Sequence, residues 1–191
     1  MLNIVIFGAP GSGKGTQSDK IIAGYGVEHI STGDVLRGEI KNNTELGKVA
    51  AQYINEGKLV PDSLIIDMLA ATLDAKGKDI KGVIFDGFPR TIAQAEALDQ
   101  MLAERGEKVG VVIGLEVDDA ELIKRIILRG QTSGRADDNE ETAKKRLNTY
   151  YSQTLPLKDF YVNAGKYASI QGVGSIDDIY AKIAEAIDAV K

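Results

Sequence analysis

Five short apolar runs punctuate the chain, at residues 2–7, 29–30, 83–85, 109–115 and, more weakly, 167–170. They are continuous rather than alternating, as a parallel strand covered on both faces requires. Helical periodicity fills the intervals, at 14–23, 35–56 with a break near Asn42-Asn43, 63–73, 92–105, 120–129, 140–161 and 176–190. Strand alternating with helix predicts βαβ units. The expected fold class is α/β: a five-stranded parallel sheet with helices on both faces, in a single domain over 1–191. Residues 31–60 are helical and carry no further strand, so they read as a small helical insertion.

Composition adds one skewed count. The 21 glycines exceed the ~7% of ordinary chains, and their placement matters more than their number. Gly8-Ala9-Pro10-Gly11-Ser12-Gly13-Lys14-Gly15-Thr16 follows the first apolar run and opens a helix. That is the context of a phosphate-binding loop, so the sheet is of the P-loop NTPase type. Glycines let backbone N–H groups turn inward around phosphate oxygens, and the helix N-terminus adds favourable partial charge. Lys14 is the cation for the β- and γ-phosphates. Gly15 stands where most such loops carry the Ser or Thr that ligates magnesium, and Thr16 follows one residue late. Asp86, at the end of the 83–85 run, is expected to hold Mg2+ through water at the ligand-binding edge of the sheet.

The remaining composition mostly excludes. The chain has no cysteine, hence no disulfide framework, thiolate metal site or cysteine nucleophile. With 28 acidic and 23 basic residues the net charge is −5, which argues against a nucleic-acid partner. No apolar run approaches the ~20 residues of a membrane span, and the first residues lack a signal-peptide pattern. A cytoplasmic protein without a membrane partner is the expectation. No Glu follows Asp86 and no Asn-Lys-x-Asp occurs, which weakens ATPase and GTPase readings.

Arginine narrows the class. Against sixteen lysines there are seven arginines: Arg37, Arg90, Arg105, Arg125, Arg129, Arg135 and Arg146. Most stand in or beside glycine-rich motifs. The planar guanidinium grips phosphate in a bidentate fork that a lysine cannot copy. These are more arginines than one triphosphate needs, so a second phosphorylated substrate is expected. The lone His29 reads as structural. Asp137 and Asp138 read as partners of nearby arginines or as helix caps, with the organising of magnesium waters as the alternative, Tyr150-Tyr151 as packing, and Glu140, Glu141, Lys144 and Lys145 as i,i+4 pairs on a solvated face.

The motifs GAPGSGKGTQ, STGDVLR, EGKLVP, DGFPRTxxQ and RGQTSGRxDDNEETxxxR resemble adenylate kinase in its short-lid form, over residues 1 to about 190. The resemblance implies reversible transfer of the γ-phosphoryl group from Mg·ATP to AMP, giving two ADP, in a cytoplasmic monomer. It places the ATP phosphates on Gly11, Ser12, Gly13, Lys14, Gly15 and Thr16, the ATP adenine near Arg125 and Gly174, and Arg129 also against ATP. It assigns AMP to Thr32, Arg37, Lys58, Leu59, Val60, Gly87, Phe88, Pro89, Arg90 and Gln94, with Arg135 and Arg146 also reaching it. Lys14, Arg90, Arg129, Arg135 and Arg146 would be catalytic. Residues 31–60 correspond to the AMP-binding insertion and 130–136 to a short lid without zinc. Thr32 and Gln94 favour AMP over the related UMP/CMP kinases, which tend to carry alanine and asparagine there. The rivals from other classes are an ATP-hydrolysing P-loop switch and a nucleotide-binding module without turnover.

Overall fold

A computed structural model describes residues 1–77 and 79–191. Five strands, β1 (Leu2–Gly8), β2 (Glu28–Ser31), β3 (Gly82–Asp86), β4 (Val111–Glu116) and β5 (Tyr167–Gln171), form one parallel sheet in the order β2-β3-β1-β4-β5. β1 lies at the centre, with Ile4 opposite Ile84 on one side and Val111 on the other. From β1 the chain winds out to β2 and back through β3, then crosses to β4 and β5. The winding therefore reverses at β1, and ligands of such sheets bind beyond the carboxyl ends of the strands at that point.

The period of two along each strand sorts the core into two layers. Val5, Phe7, Phe85 and Val112 face one layer with Leu69, Leu98, Leu102 and Tyr161, while Ile4, Ile6, Ile84 and Ile113 face the other with Ile21, Ile179, Ile183 and Ile187. The first layer is closed by α4 (Asp62–Lys76), α5 (Ile92–Ala103) and α8 (Pro156–Asn163), the second by α1 (Lys14–Tyr25) and α9 (Ile176–Asp188). Among the described residues, no helix is long and apolar enough to cross a membrane.

Four boundaries differ from the sequence expectation. The 109–115 run enters the sheet only at Val111, with Gly110 N–H donating to Asn3 O at 2.8 Å before the ladder begins. The 35–56 stretch starts earlier, at Thr32, while its expected break near Asn42-Asn43 is present: α2 (Thr32–Lys41) and α3 (Glu45–Asn55) are capped by Ser31 and Thr44, whose hydroxyls accept from Asp34 N and Gly47 N. The 140–161 helix is interrupted. Pro156 has no N–H to give residue 152, so after α7 (Glu140–Thr149) the chain widens into one π-turn over Tyr150–Thr154, with Leu155 N–H donating to Tyr150 O at 2.7 Å. Pro156 then opens α8 at its first position, where the missing N–H does no harm.

The fourth difference touches the supposed lid loop. Helix α6 (Asp119–Ser133) continues through Gly130-Gln131-Thr132-Ser133, so only 134–139 is loop. A glycine inside a helix costs ~1 kcal/mol, too little to end one already packed. Gly134 does end it, in the left-handed conformation at φ 65°.

The core predicts a contrast in stability. Ile113→Ala, at a position with 0% exposure, should lower unfolding free energy by about 2–5 kcal/mol. Leu128→Ala, at 53% exposure, should stay within about 0.5 kcal/mol. Urea titrations of both variants would show it, and equal losses would contradict the two-layer core.

Candidate active site

At the carboxyl end of β1 the chain turns through the glycine-rich loop into α1. Gly13 sits at φ 97°, a conformation that side chains rarely tolerate, and caps α1. The first turn of α1 carries no acidic residue. Its unpaired N–H groups and positive dipole end therefore remain available to an anion. Lys14 folds over its own loop, with Nζ donating to Gly8 O at 2.9 Å and Ala9 O at 3.2 Å. Burial pushes its amine down to about 8; Asp86 opposes this, while Arg90, Arg146 and Arg129 add to it.

The loop is one wall of a cleft of about 590 Å³. Six arginines line it: Arg37, Arg90, Arg125, Arg129, Arg135 and Arg146. The seventh, Arg105, pairs with Asp74 elsewhere. Most of the six are oriented by an acceptor. Arg125 Nε donates to Glu121 at 2.8 Å and Nη2 to Gly172 O at 3.0 Å. Arg90 Nε donates to Gly87 O at 2.7 Å, a carbonyl that also accepts from Thr32 Oγ1 at 2.9 Å. Arg129 grips the buried Asp138 with two bonds of 2.8 and 2.7 Å, and Arg146 lies 3.0 Å from Asp137. Arg37 pairs with Asp34, whose carboxylate is also 3.7 Å from Arg135 across the cleft.

Charge is crowded here. Burial pushes Arg146 down to about 10, with Asp137 opposing and Arg90 and Arg129 reinforcing. Burial alone would raise the Asp138 carboxyl, but hydrogen bonding to Arg129 holds it below the usual carboxylate range. The pairing expected of Asp137 and Asp138 is present, as are Glu140–Lys144 and Glu141–Lys145, both at 2.9 Å. Tyr150 packs against Phe7 with ring centroids 5.8 Å apart, as expected of a packing residue.

A narrower pocket adjoins the cleft, sharing Arg37, Gly87 and Arg90 with it, and is lined by Thr32, Lys58, Leu59, Val60 and Gln94. Gln94 is buried, not on an exposed face, and its carbonyl accepts from Arg90 N at 2.8 Å. Gly11, Ser12, Gly13, Gly15, Thr16, Asp86 and Gly174 line the main cleft. Two predicted residues line neither space: the Phe88 side chain is buried in the core, and Pro89 lines a small cavity together with Lys14, Lys58, Gly87, Arg90 and Arg146. Several cleft residues escaped the sequence reading, among them Gln17, Asp34 and Gly172. Asp34 carried a usable signal, its i,i+3 spacing to Arg37 on one helix. His29 also faces the cleft, with Nε2 3.5 Å from Asp86, whose carboxylate holds the imidazole above its ordinary range.

Among the described residues, no group of three or more His, Cys, Asp or Glu stands close enough to hold a metal by itself. Three carboxylates line the cleft, Asp19, Asp34 and Asp86; Asp34 is taken by Arg37, which leaves Asp86 at the end of β3 and the hydroxyl of Thr16 as the donors beside the glycine-rich loop. This donor set fits magnesium, which keeps several waters and binds through one or two carboxylates and substrate phosphates.

The depressed lysine has a measurable consequence. Between about 8 and its ordinary 10.5, the unfolded chain binds a proton at Lys14 that the folded chain does not. Stability therefore rises with pH across that window, and the full penalty applies below it. In ligand-free protein at pH 7, Lys14→Met should melt higher than wild type, and the gap should close as pH rises from 8 towards 10.5. A gap that is absent, or independent of pH, would contradict a lysine charged against its surroundings.

The sequence model of the family described as Adenylate kinase matches residues 6–166. The chain is similar to an adenylate kinase of Bacteroides thetaiotaomicron, at 66% identity over 188 residues, 98% of this chain and 99% of the relative. It is similar to one of Parabacteroides distasonis, at 62% over the full length of both, and to one of Porphyromonas gingivalis, at 54% over 98% and 96% of the two chains. On the family match and these full-length identities, the chain belongs to the adenylate kinase family.

Proposed function

We propose how this chain carries out the exchange Mg·ATP + AMP ⇌ 2 ADP: the two nucleotides meet in the arginine-lined cleft and the γ-phosphoryl group passes between them in line. The observation that carries this is the convergence of six of the seven arginines on one cleft that has the glycine-rich loop on one wall and the Gln94 pocket beside it.

The ATP phosphates lie on Gly11 to Thr16, with the adenine near Arg125 and Gly174. AMP sits at Thr32, Arg37, Lys58, Leu59, Val60, Gly87, Arg90 and Gln94, with the backbone of Phe88 and Pro89 shaping the turn. Residues 31–60 act as the AMP-binding part and 130–136 as the lid, with Gly130 to Ser133 at the end of α6 and 134–136 in the loop that follows. Lys14, Arg90, Arg129, Arg135 and Arg146 neutralise charge on the transferring group. Phosphoryl transfer asks the protein chiefly for position and charge. An AMP phosphate with a second pKa near ~6 is already dianionic at neutral pH, so the acceptor oxygen needs no general base. Asp86 would hold the magnesium of ATP through water, and the ion supplies neutralisation of the phosphate oxygens. No zinc, nucleic acid or membrane takes part, and the chain works as a monomer in the cytoplasm.

Arg135→Lys keeps the charge and loses the planar fork. It should lower kcat by about 10²–10³, the effect of removing one contact to developing charge. Steady-state kinetics with both substrates saturating measures it, and near-normal turnover would remove Arg135 from the clamp.

Gln94→Ala should raise the KM for AMP by the equivalent of about 1–3 kcal/mol, because buried base atoms lose their partners. The KM for ATP should stay nearly unchanged. An unaltered AMP KM, or a wild type that prefers UMP or CMP over AMP, would replace this reading with a pyrimidine nucleotide kinase.

A further inference from the structure

A glutamine amide carries a donor at one end and an acceptor at the other, and a half-turn about its last bond exchanges them. Adenine presents an amino donor at C6 beside an acceptor at N1. A 6-oxopurine presents the reverse, an acceptor at C6 beside an N1–H donor. The same glutamine therefore reads adenine in one orientation and hypoxanthine or guanine in the other. Gln94 alone cannot explain a preference for AMP; something must hold its amide one way round.

The structure contains such a lock. Gln94 is 2% exposed. Its Oε1 accepts from the backbone N–H of Arg90 at 2.8 Å, and its Nε2 donates to Asp62 Oδ1 at 2.8 Å. Both partners have fixed polarity: a backbone N–H only donates and an ionised carboxylate only accepts. A flipped amide would set donor against donor at Arg90 and acceptor against acceptor at Asp62. Asp62 is itself held, because Thr91 Oγ1 donates to the same Oδ1 at 3.1 Å while accepting from Gln94 N at 3.2 Å. With these bonds made, the amide keeps one lone pair on Oε1 and one hydrogen on Nε2. It lines the pocket beside Thr32, Leu36, Val60 and Ile65. That remaining pair is the complement of adenine and the opposite of a 6-oxopurine.

We propose that Asp62 is a specificity-determining positioning residue: it fixes the orientation of the Gln94 amide and so makes the acceptor site reject 6-oxopurine nucleotides. The proposal rests on the reading of Gln94 as the residue that meets the acceptor base. Asp62 also begins α4, where a negative charge favours the helix dipole. A role confined to that would change stability and leave base selection alone.

The test compares AMP with IMP, which differ at C6 and in N1 protonation. Measure kcat/KM for both acceptors, and KM for ATP, in wild type, Asp62→Ala, Asp62→Asn, Gln94→Ala and the Asp62→Ala/Gln94→Ala pair, with melting temperatures alongside. In Asp62→Ala the AMP-to-IMP ratio should fall by about tenfold or more, through AMP KM, with ATP KM unchanged. Asp62→Asn should restore only part of the ratio, since its carbonyl can still accept from Nε2 but its amide, unlike a carboxylate, can also turn to donate. In the Gln94→Ala background the second substitution should add nothing to the loss of discrimination. If Asp62→Ala does not fold, Asp62→Ser repeats the measurement, being favourable at a helix start and too short to reach Gln94. A ratio unchanged by the Asp62 variants but lowered in Gln94→Ala overturns the lock and keeps Gln94 as the base reader. A ratio unchanged in Gln94→Ala overturns the reading of Gln94 itself, and the lock with it.

Discussion

Positive charge concentrated in one cleft is the constraint on which the rest of this structure depends. Lys14 and six arginines would repel one another and leave burial uncompensated if nothing answered them. The fold answers them locally: Asp34 takes Arg37 and approaches Arg135, Asp138 takes Arg129, Asp137 takes Arg146, and carbonyls of the glycine-rich turns take Lys14, Arg90 and Arg125. These partners hold each cation in place without cancelling the excess. A buried pair of this kind contributes little net stability, because desolvation offsets its Coulomb attraction. What it fixes is geometry. The cleft is thereby preorganised for polyanionic ligands, and phosphate oxygens can take over from the carboxylates and carbonyls when they arrive.

The sheet serves that arrangement. β1 runs through the core between its two apolar layers and delivers the phosphate loop at its carboxyl end, where α1 begins. β3 ends beside it at Asp86, so the following Gly87–Arg90 turn joins the cleft to the pocket around Gln94. Two carboxylates, Asp137 and Asp138, lie in the short loop between α6 and α7, and each reaches an arginine on a flanking helix. A loop tied by charge can respond to the charge of a ligand, which suits the exclusion of water during transfer.

The central strands and the phosphate loop were legible in the sequence because both are local. Residues 2–7 and 83–85 are unbroken apolar runs, and the glycines around Lys14 are adjacent to one another. Helix ends were less so. The extension of α6 past Gly130 and the π-turn before Pro156 follow from packing and hydrogen-bond geometry that periodicity does not carry. The direction of the Phe88 side chain was not legible either: its neighbour Gly87 faces the cleft, while the Phe88 ring turns into the core. Long-range pairing was invisible. Asp62 and Gln94 are 32 residues apart, and nothing in either segment announces the other. The arginines were legible as a set, yet their orienting partners emerged only once the helices were packed.

The central claim is that this cleft aligns two phosphorylated nucleotides and keeps water out of the transfer. Phosphorus NMR of the protein with Mg2+ tests it directly, by following ATP alone and then ATP with AMP. The account predicts that ATP alone persists. Addition of AMP should convert both nucleotides to ADP until equilibrium, with no growth of the inorganic phosphate signal. Release of inorganic phosphate from ATP alone, at a rate comparable to ADP formation in the mixture, would contradict it.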